Sequence, residues 1–300
     1  MTPPRFVAIG ECMIEMAPSG GADQFRMNFA GDSFNTAWYA RKLLSATWQV
    51  DYVTAVGTDA VSDRMVAFFE SSGIGTAHVG RKPERGVGLY LISLDRGERS
   101  FTYWRGQSAA RLLAEDPGRL DAALKGASLA YVSGITLAIL APEARARLLA
   151  ALDCGRRAGM AIAFDPNLRP RLWPNVAAMR AAISDTARIS DIVLPSHEDE
   201  AAYFGDGSPE ATLERYLGAG ATTVVVKNGA ERIVAADPRG RFDLRPEPVR
   251  DVRDTTAAGD SFNAGFLACH LSGGTLAESV VAGSVIAAKV IRGPGALVEI

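Results

Sequence analysis

The chain has 300 residues, 48% of them apolar and 22% charged, enough to bury a large core in one sizeable domain with an appendage. A formal net charge of −2 gives no electrostatic footprint for nucleic acid or an anionic membrane, so any affinity for anions must be local. Cys12, Cys154 and Cys269 are far apart and outside Cys-x-x-Cys spacing, which argues against a disulfide framework or zinc site and, with no apolar leader or spanning run, places the chain in the reducing cytoplasm.

Taken from the N-terminus, Phe6 to Gly10 is an apolar run without polar alternation, the pattern of a strand buried on both faces. Residues from about 13 to 29 include the strand-like Gln24-Phe25-Arg26-Met27-Asn28-Phe29 and interrupt the core pattern. Ala30-Gly31-Asp32-Ser33-Phe34-Asn35-Thr36-Ala37 is a turn entering a helix that runs to about Leu44, and Asp32 or Ser33 has the residue type of its cap. Val50 to Val56 is a second buried run.

The stretch from about 86 to 104 again looks strand-like, with Val87-Gly88-Leu89-Tyr90-Leu91-Ile92 and a turn at Asp95-Arg96-Gly97-Glu98. Together with 13–29 it is expected to form a small sheet outside the main one, suited to a lid that keeps water from a site; an antiparallel extension of the main sheet is the alternative. An exposed sheet face would invite a second copy of the chain.

Further buried runs follow at Leu129 to Val132, Met160 to Phe164, Asp191 to Leu194 and Thr223 to Val226. Between them lie helical stretches such as Pro142 to Ala158, with Leu148, Leu149 and Leu152 on one side, and Val176 to Ile189. Strand and helix alternation of this kind predicts an α/β fold with a mainly parallel sheet covered by helices, its functional loops at the carboxyl ends of the strands. Asp165 to Arg169, Pro195 to Asp199 and Lys227 to Gly229 all fall just after strands.

Asp254-Thr255-Thr256-Ala257-Ala258-Gly259-Asp260-Ser261-Phe262 is the most informative segment. Its run of small residues bares backbone N–H groups, and Phe262, Phe266 and Leu267 have the spacing of a buried helical face, so a loop opens into a helix. Bare N–H groups and the helix dipole, equivalent to about +0.5 charge, make such a mouth a cradle for a phosphoryl group. A carboxylate at Asp260 would repel that anion, and accepting the proton of a hydroxyl that attacks it gives the acid a purpose. Thr, Asp and Ser are also ordinary capping residues, which is the plainer account.

The 254–262 segment resembles the C-terminal signature of the ribokinase-like (PfkB) carbohydrate kinases, whose usual Gly-Ala-Gly-Asp has Ala257 in its first place here. The segment around Gly31 and Asn35 is similar to the N-terminal Gly-Gly-x-x-x-Asn signature, with Ala30 for the first glycine. Ile9-Gly10-Glu11-Cys12-Met13-Ile14-Glu15, Tyr103-Trp104-Arg105, Ser133 to Leu140 and Asn167-Leu168-Arg169-Pro170-Arg171-Leu172-Trp173 look like the 2-keto-3-deoxygluconate kinases of that family, a likeness that runs end to end. The resemblance implies a single ribokinase-like catalytic domain over 1–300, a three-layer αβα sandwich with a β lid from about 13–29 and 86–104. It implies phosphorylation of the sugar acid on its 6-hydroxyl by ATP with Mg²⁺. Kinases for fructose, ribose or adenosine share the fold, and a non-catalytic sugar-acid sensor is the reading from another class.

On that resemblance Asp260 is the catalytic base and the amides of Ala257, Ala258 and Gly259 form the anion hole. Gly31, Asn35, Tyr90, Tyr103, Arg105 and Arg169 join Asp260 in binding the sugar acid. A carboxylate substrate needs guanidinium partners, which Arg105 and Arg169 can supply as paired donors, while the two tyrosines offer an apolar wall with hydroxyls. No Gly-x-x-x-x-Gly-Lys-Ser/Thr is present, so the nucleotide does not bind a P-loop. Lys227-Asn228-Gly229 resembles the family's ATP-contacting turn and is at the same time a hairpin signal. Asn167, Ser196, Lys227, Gly229, Ala258 and Gly259 are the expected ATP contacts. Ser196 to Asp199 stands for the family's Asn-x-x-Glu element, with Asp199 reaching magnesium through water. His78, His197 and His270 have no metal spacing. The expected partners are the sugar acid and ATP, with a homo-oligomer formed through the lid sheet.

Overall fold

A computed structural model describes residues 3–20, 23–95 and 98–300. In chain order, β1 (Arg5–Ile9) leads into β2 (Met13–Pro18), β3 (Phe25–Ala30) and α1 (Asp32–Leu43). Next come β4 (Gln49–Val53), β5 (Ala55–Val56), α2 (Ala60–Ser71), β6 (Gly80–Arg81), β7 (Leu89–Asp95) and β8 (Glu98–Trp104). The middle of the chain carries α3 (Pro117–Leu124), β9 (Leu129–Ser133), α4 (Gly134–Ile139), α5 (Pro142–Arg157), β10 (Ala161–Asp165) and α6 (Val176–Arg188). The last third adds β11 (Ile192–Val193), α7 (His197–Phe204), α8 (Pro209–Ala219), β12 (Thr223–Val226), β13 (Ile233–Asp237), β14 (Gly240–Leu244), α9 (Ala258–Leu271) and α10 (Leu276–Val290).

Eight strands form the central sheet in the order β14-β13-β12-β11-β10-β9-β1-β4, parallel from β12 to β4 and antiparallel at β13 and β14. Phe6, Val7, Ala8 and Ile9 are all fully buried because both faces are covered. Val7, Ile9, Val132, Phe164 and Val226 pack with Leu120, Leu148, Ile183 and Tyr216 on one face. Phe6, Ala8, Tyr52, Tyr131 and Val225 pack with Phe34, Met65, Phe266 and Val280 on the other. The result is the expected three-layer α/β sandwich.

The run Val50 to Val56, expected as one strand, divides into two. β1 ends at Ile9, so the chain after Val53 has lost its neighbour; Gly80 N–H takes the Thr54 carbonyl (2.8 Å) and β5 pairs with β6 instead.

Residues from both atypical stretches build a separate four-stranded sheet in the order β3-β2-β7-β8, with β2 and β7 parallel and its outer pairs antiparallel. It is therefore not an extension of the main sheet. Arg96 and Gly97, the centre of the expected turn, lie outside the described residues. The Asn228-Gly229 hairpin signal is realised, since β12 and β13 run antiparallel around it and Gly229 takes φ 56°.

Candidate active site

A cleft of about 640 Å³ lies between the carboxyl ends of the central strands and the inner face of the small sheet. Its wall gathers the candidate site residues: Gly31 and Asn35 from α1 and its entry, Tyr90, Tyr103 and Arg105 from the small sheet and its end, and Asn167, Arg169, Ser196, Asp199, Lys227 and Gly229 from post-strand loops and the start of α7. Ala257, Ala258, Gly259 and Asp260 close it at the mouth of α9. Glu11, Asp32 and Asp165 also line it; of these the residue patterns offered a role only to Asp32, as a cap of α1.

Neither α1 nor α9 is capped by a side chain. Backbone Gly31 precedes α1 and backbone Ala257 precedes α9, both without a side-chain cap bond. The acids are thus left for other work. Asp32 Oδ2 accepts from Asn167 Nδ2 (2.9 Å) and Asp260 Oδ2 accepts from Asn35 Nδ2 (2.8 Å). Asn35 Oδ1 in turn takes the Gly31 N–H (3.2 Å), so one amide side chain ties the first turn to the α9 acid. Gly31 is needed for a reason the sequence pattern did not supply: a Cβ there would stand 2.1 Å from the Glu11 carbonyl oxygen.

Ala257 does adopt the left-handed conformation that its replacement of glycine requires, at φ 60° and ψ 15°. An L-residue held there costs on the order of 1 kcal/mol. Its turn is fixed by Asp254, whose carboxylate accepts from Thr256 N–H (3.0 Å) and Gly295 N–H (2.6 Å). The Ala258 N–H meets the Thr255 carbonyl (3.1 Å), and Gly259 and Asp260 precede the first i→i−4 bond, from Ser261 N–H to the Ala257 carbonyl (2.8 Å), so their N–H groups belong to the unpaired first turn of α9.

Asp260 opens on the cleft on one side and is enclosed by protein on the others. Burial, then the neighbouring Asp32 carboxylate, push its pKa up to about 7; the Asn35 hydrogen bond works in the opposite sense, Asp165 adds to the rise and Lys227 opposes it. Below α9, Lys227 Nζ donates to Asp165 Oδ2 (3.1 Å) and Asn263 Oδ1 (2.9 Å), and Asn263 Nδ2 donates to Asp165 Oδ2 (2.7 Å). Asp165 Oδ1 accepts the Asn167 N–H (3.1 Å), and Asn167 sits at φ 34°. Lys227 N–H bonds the Pro195 carbonyl and His197 N–H the Lys227 carbonyl, both at 2.8 Å, which stitches the Ser196 and Lys227 loops together.

On the side of the small sheet the Tyr90 hydroxyl donates to Glu15 Oε2 (2.5 Å), and Asn28 Nδ2 holds Glu15 Oε1 (3.2 Å). Tyr90 thus faces the cleft as a wall whose hydroxyl proton is already given away, whereas Tyr103 is half-exposed. Arg105 is buried against the equally buried Glu11 in a close ion pair, with Arg105 Nε and Glu11 Oε1 left without a hydrogen-bond partner. Arg169 is half-exposed, donating to the Leu168 carbonyl (2.6 Å) with Asp199 at 3.7 Å. The two arginines expected to act alike are therefore in different electrical environments.

Among the described residues no three His, Cys, Asp or Glu side chains converge on one point, so a divalent ion would be shared between phosphate oxygens and one or two carboxylates, as Mg²⁺ commonly is. Asp165 already accepts from three donors, and Asp199 is the cleft acid on the helix that follows Ser196, its pKa raised chiefly by burial.

Comparison with known proteins agrees with this geometry. The profile of the pfkB family carbohydrate kinases matches residues 4–299. A 2-dehydro-3-deoxygluconokinase from Dickeya dadantii is 39% identical over 100% of this chain and 98% of its own. A PfkB protein from Polaromonas sp. JS666 superposes with a TM-score of 0.86 at 28% identity, over 97% of this chain and 96% of its own. A fructokinase with bound ATP from Xylella fastidiosa has the same fold at a TM-score of 0.82 and 22% identity, over 97% and 93%.

Proposed function

The chain belongs to the pfkB family of carbohydrate kinases, and from that premise we infer that it transfers the γ-phosphoryl group of ATP to the 6-hydroxyl of 2-keto-3-deoxy-D-gluconate, giving 2-keto-3-deoxy-6-phosphogluconate. The observation that carries this reading is one cleft with a carboxylate at a helix mouth and, on its other walls, the half-exposed guanidinium of Arg169 and that of Arg105, whose Nε is without a partner beside Glu11. Full-length identity to the Dickeya dadantii kinase supports the choice of substrate.

Asp260 orients the 6-hydroxyl and takes its proton as the phosphoryl group moves. Asn35 holds Oδ2, so Oδ1 receives that proton. An ordinary aspartate, with a pKa of about 3.9, is a weak base for this step, and the environment that raises Asp260 to about 7 brings it close to the working range. The N–H groups of Gly259 and Asp260, with the helix dipole, face the charge that develops on the phosphoryl oxygens. Ser196, Lys227 and Gly229 border the nucleotide, with Asn167 behind them, while Gly31, Tyr90, Tyr103, Arg105 and Arg169 enclose the sugar acid. Asp199, through a water, fits as the protein's hold on Mg²⁺, which when bound neutralises phosphate charge.

Cys12, Cys154 and Cys269 are free thiols and no described helix is long and apolar enough to cross a membrane, which fits a cytoplasmic enzyme. The lid's edge strands expose Phe25 on β3 and Trp104 on β8, surfaces that a second copy of the chain would cover. Initial rates of ATP consumption on 2-keto-3-deoxygluconate, fructose, ribose and adenosine test the function: the keto acid should exceed the others in kcat/KM by at least ~10²-fold, since a matched guanidinium–carboxylate pair is absent from neutral sugars. A neutral sugar as the better substrate would overturn the reading.

A further inference from the structure

We propose that Lys227 and Asp165 form a positioning pair for Asp260, an ammonium locked beneath the mouth of α9 that keeps the catalytic carboxylate charged, opposed by the acid that locks it. The inference rests on the reading of Asp260 as the proton acceptor. Lys227 follows β12 directly, but its side chain does not reach for solvent: it is about one-eighth exposed, 3.1 Å from Asp165 and 2.9 Å from Asn263. Asn263 lies four residues beyond Gly259 on α9 and so on the same face, one turn deeper. Nζ is 3.7 Å from where a Cβ at position 259 would stand, which puts the cation directly under the turn.

A cation at the positive end of a helix is electrostatically misplaced unless negative charge gathers there. The charged groups that face Asp260 are Asp32 at the start of α1, Asp165 at the end of β10 and Lys227 just after β12, with the neutral phenols of Tyr39 on α1 and Tyr131 on β9 beside them; Asn35 on α1 adds a neutral donor. Asp32 and Asp165 favour the protonated carboxyl, and Lys227 is the opposing cation among them. Asp165 cannot swing away, because Asn167 N–H, Asn263 Nδ2 and Lys227 Nζ hold both its oxygens. The two partners of one ion pair therefore act on Asp260 with opposite sign.

That opposition is the test. The pH dependence of kcat/KM for the keto acid at saturating ATP should lose its acid limb about one pH unit higher in Lys227→Met and about one unit lower in Asp165→Asn, with Lys227→Arg close to the parent protein. Damage to packing alone would move neither limb, and a lysine serving only the nucleotide would raise the KM for ATP in Lys227→Met with the limb in place; either result overturns the proposal. If Lys227→Met does not fold, Asp165→Asn decides by itself, and an unmoved or upward limb refutes the pairing. Asp260→Asn separates the two levels: near-normal turnover there defeats the base assignment, whereas an inactive Asp260→Asn beside unmoved limbs defeats only this inference.

Discussion

Asn35 and Asp260, 225 positions apart in the chain, meet at 2.8 Å, so the first turn of α1 holds the carboxylate at the mouth of α9. This contact joins the sugar-side entry to the phosphoryl-side turn. In the proposed mechanism the acid that takes the proton is thus oriented from the wall that would bind the acceptor.

Asp260→Asn should lower kcat by ~10²-fold or more while ATP and keto-acid binding, read by calorimetry, persist. The same change should stabilise the protein at alkaline pH. A carboxyl whose folded pKa is raised to about 7 loses stability as pH rises from the ordinary range of about 4 through that value, so the variant's Tm should exceed the parent's by several °C at pH 8 and converge near pH 4. A thermal-shift series across pH checks it.

Asp32→Asn should move the acid limb of kcat/KM downward by about one pH unit, since Asp32 is the foremost charge raising Asp260 and an amide oxygen can still accept from Asn167. An unmoved limb would mean that Asp260 does not govern it.

Arg105→Ala and Arg169→Ala should both weaken keto-acid affinity selectively over that for ATP, but their stabilities should part. Losing Arg105 strands the buried Glu11 carboxylate, at a cost of roughly 3–5 kcal/mol, whereas half-exposed Arg169 should cost under about 1 kcal/mol. Urea unfolding of both variants, with Glu11→Gln/Arg105→Met as the charge-free control, gives the comparison.

Ala257→Gly should leave kcat within about twofold and raise stability by roughly 0.5–1 kcal/mol, because relief of the left-handed strain exceeds the added chain entropy of glycine. Ala257→Val should do the reverse. Chemical denaturation midpoints measure both.

Much of the architecture was legible in the residues. Runs such as Phe6 to Gly10 and Thr223 to Val226 must lie between two apolar layers, and 3.6-residue spacing names the inward face of α5, both of which depend on near neighbours only; α9, by contrast, is buried all round from Ser261 to Ala268. The loops after β10, β11 and β12, and the small-residue mouth before Asp260, could be placed on the cleft for the same reason. The break in Val50 to Val56 could not, because it depends on where β1 ends.

By itself, then, the sequence determined a parallel α/β body, strand-rich stretches outside its pattern and an acid at a glycine- and alanine-lined helix entrance. Only the tertiary structure decided that Arg105 is neutralised by Glu11, that Tyr90 gives its proton to Glu15, and that Lys227 lies under α9 with Asp165 and Asn263. The physical reason is distance along the chain: these partners are separated by 94, 75, 62 and 36 residues, and strand register and crossover, which no local pattern encodes, bring them within hydrogen-bond reach.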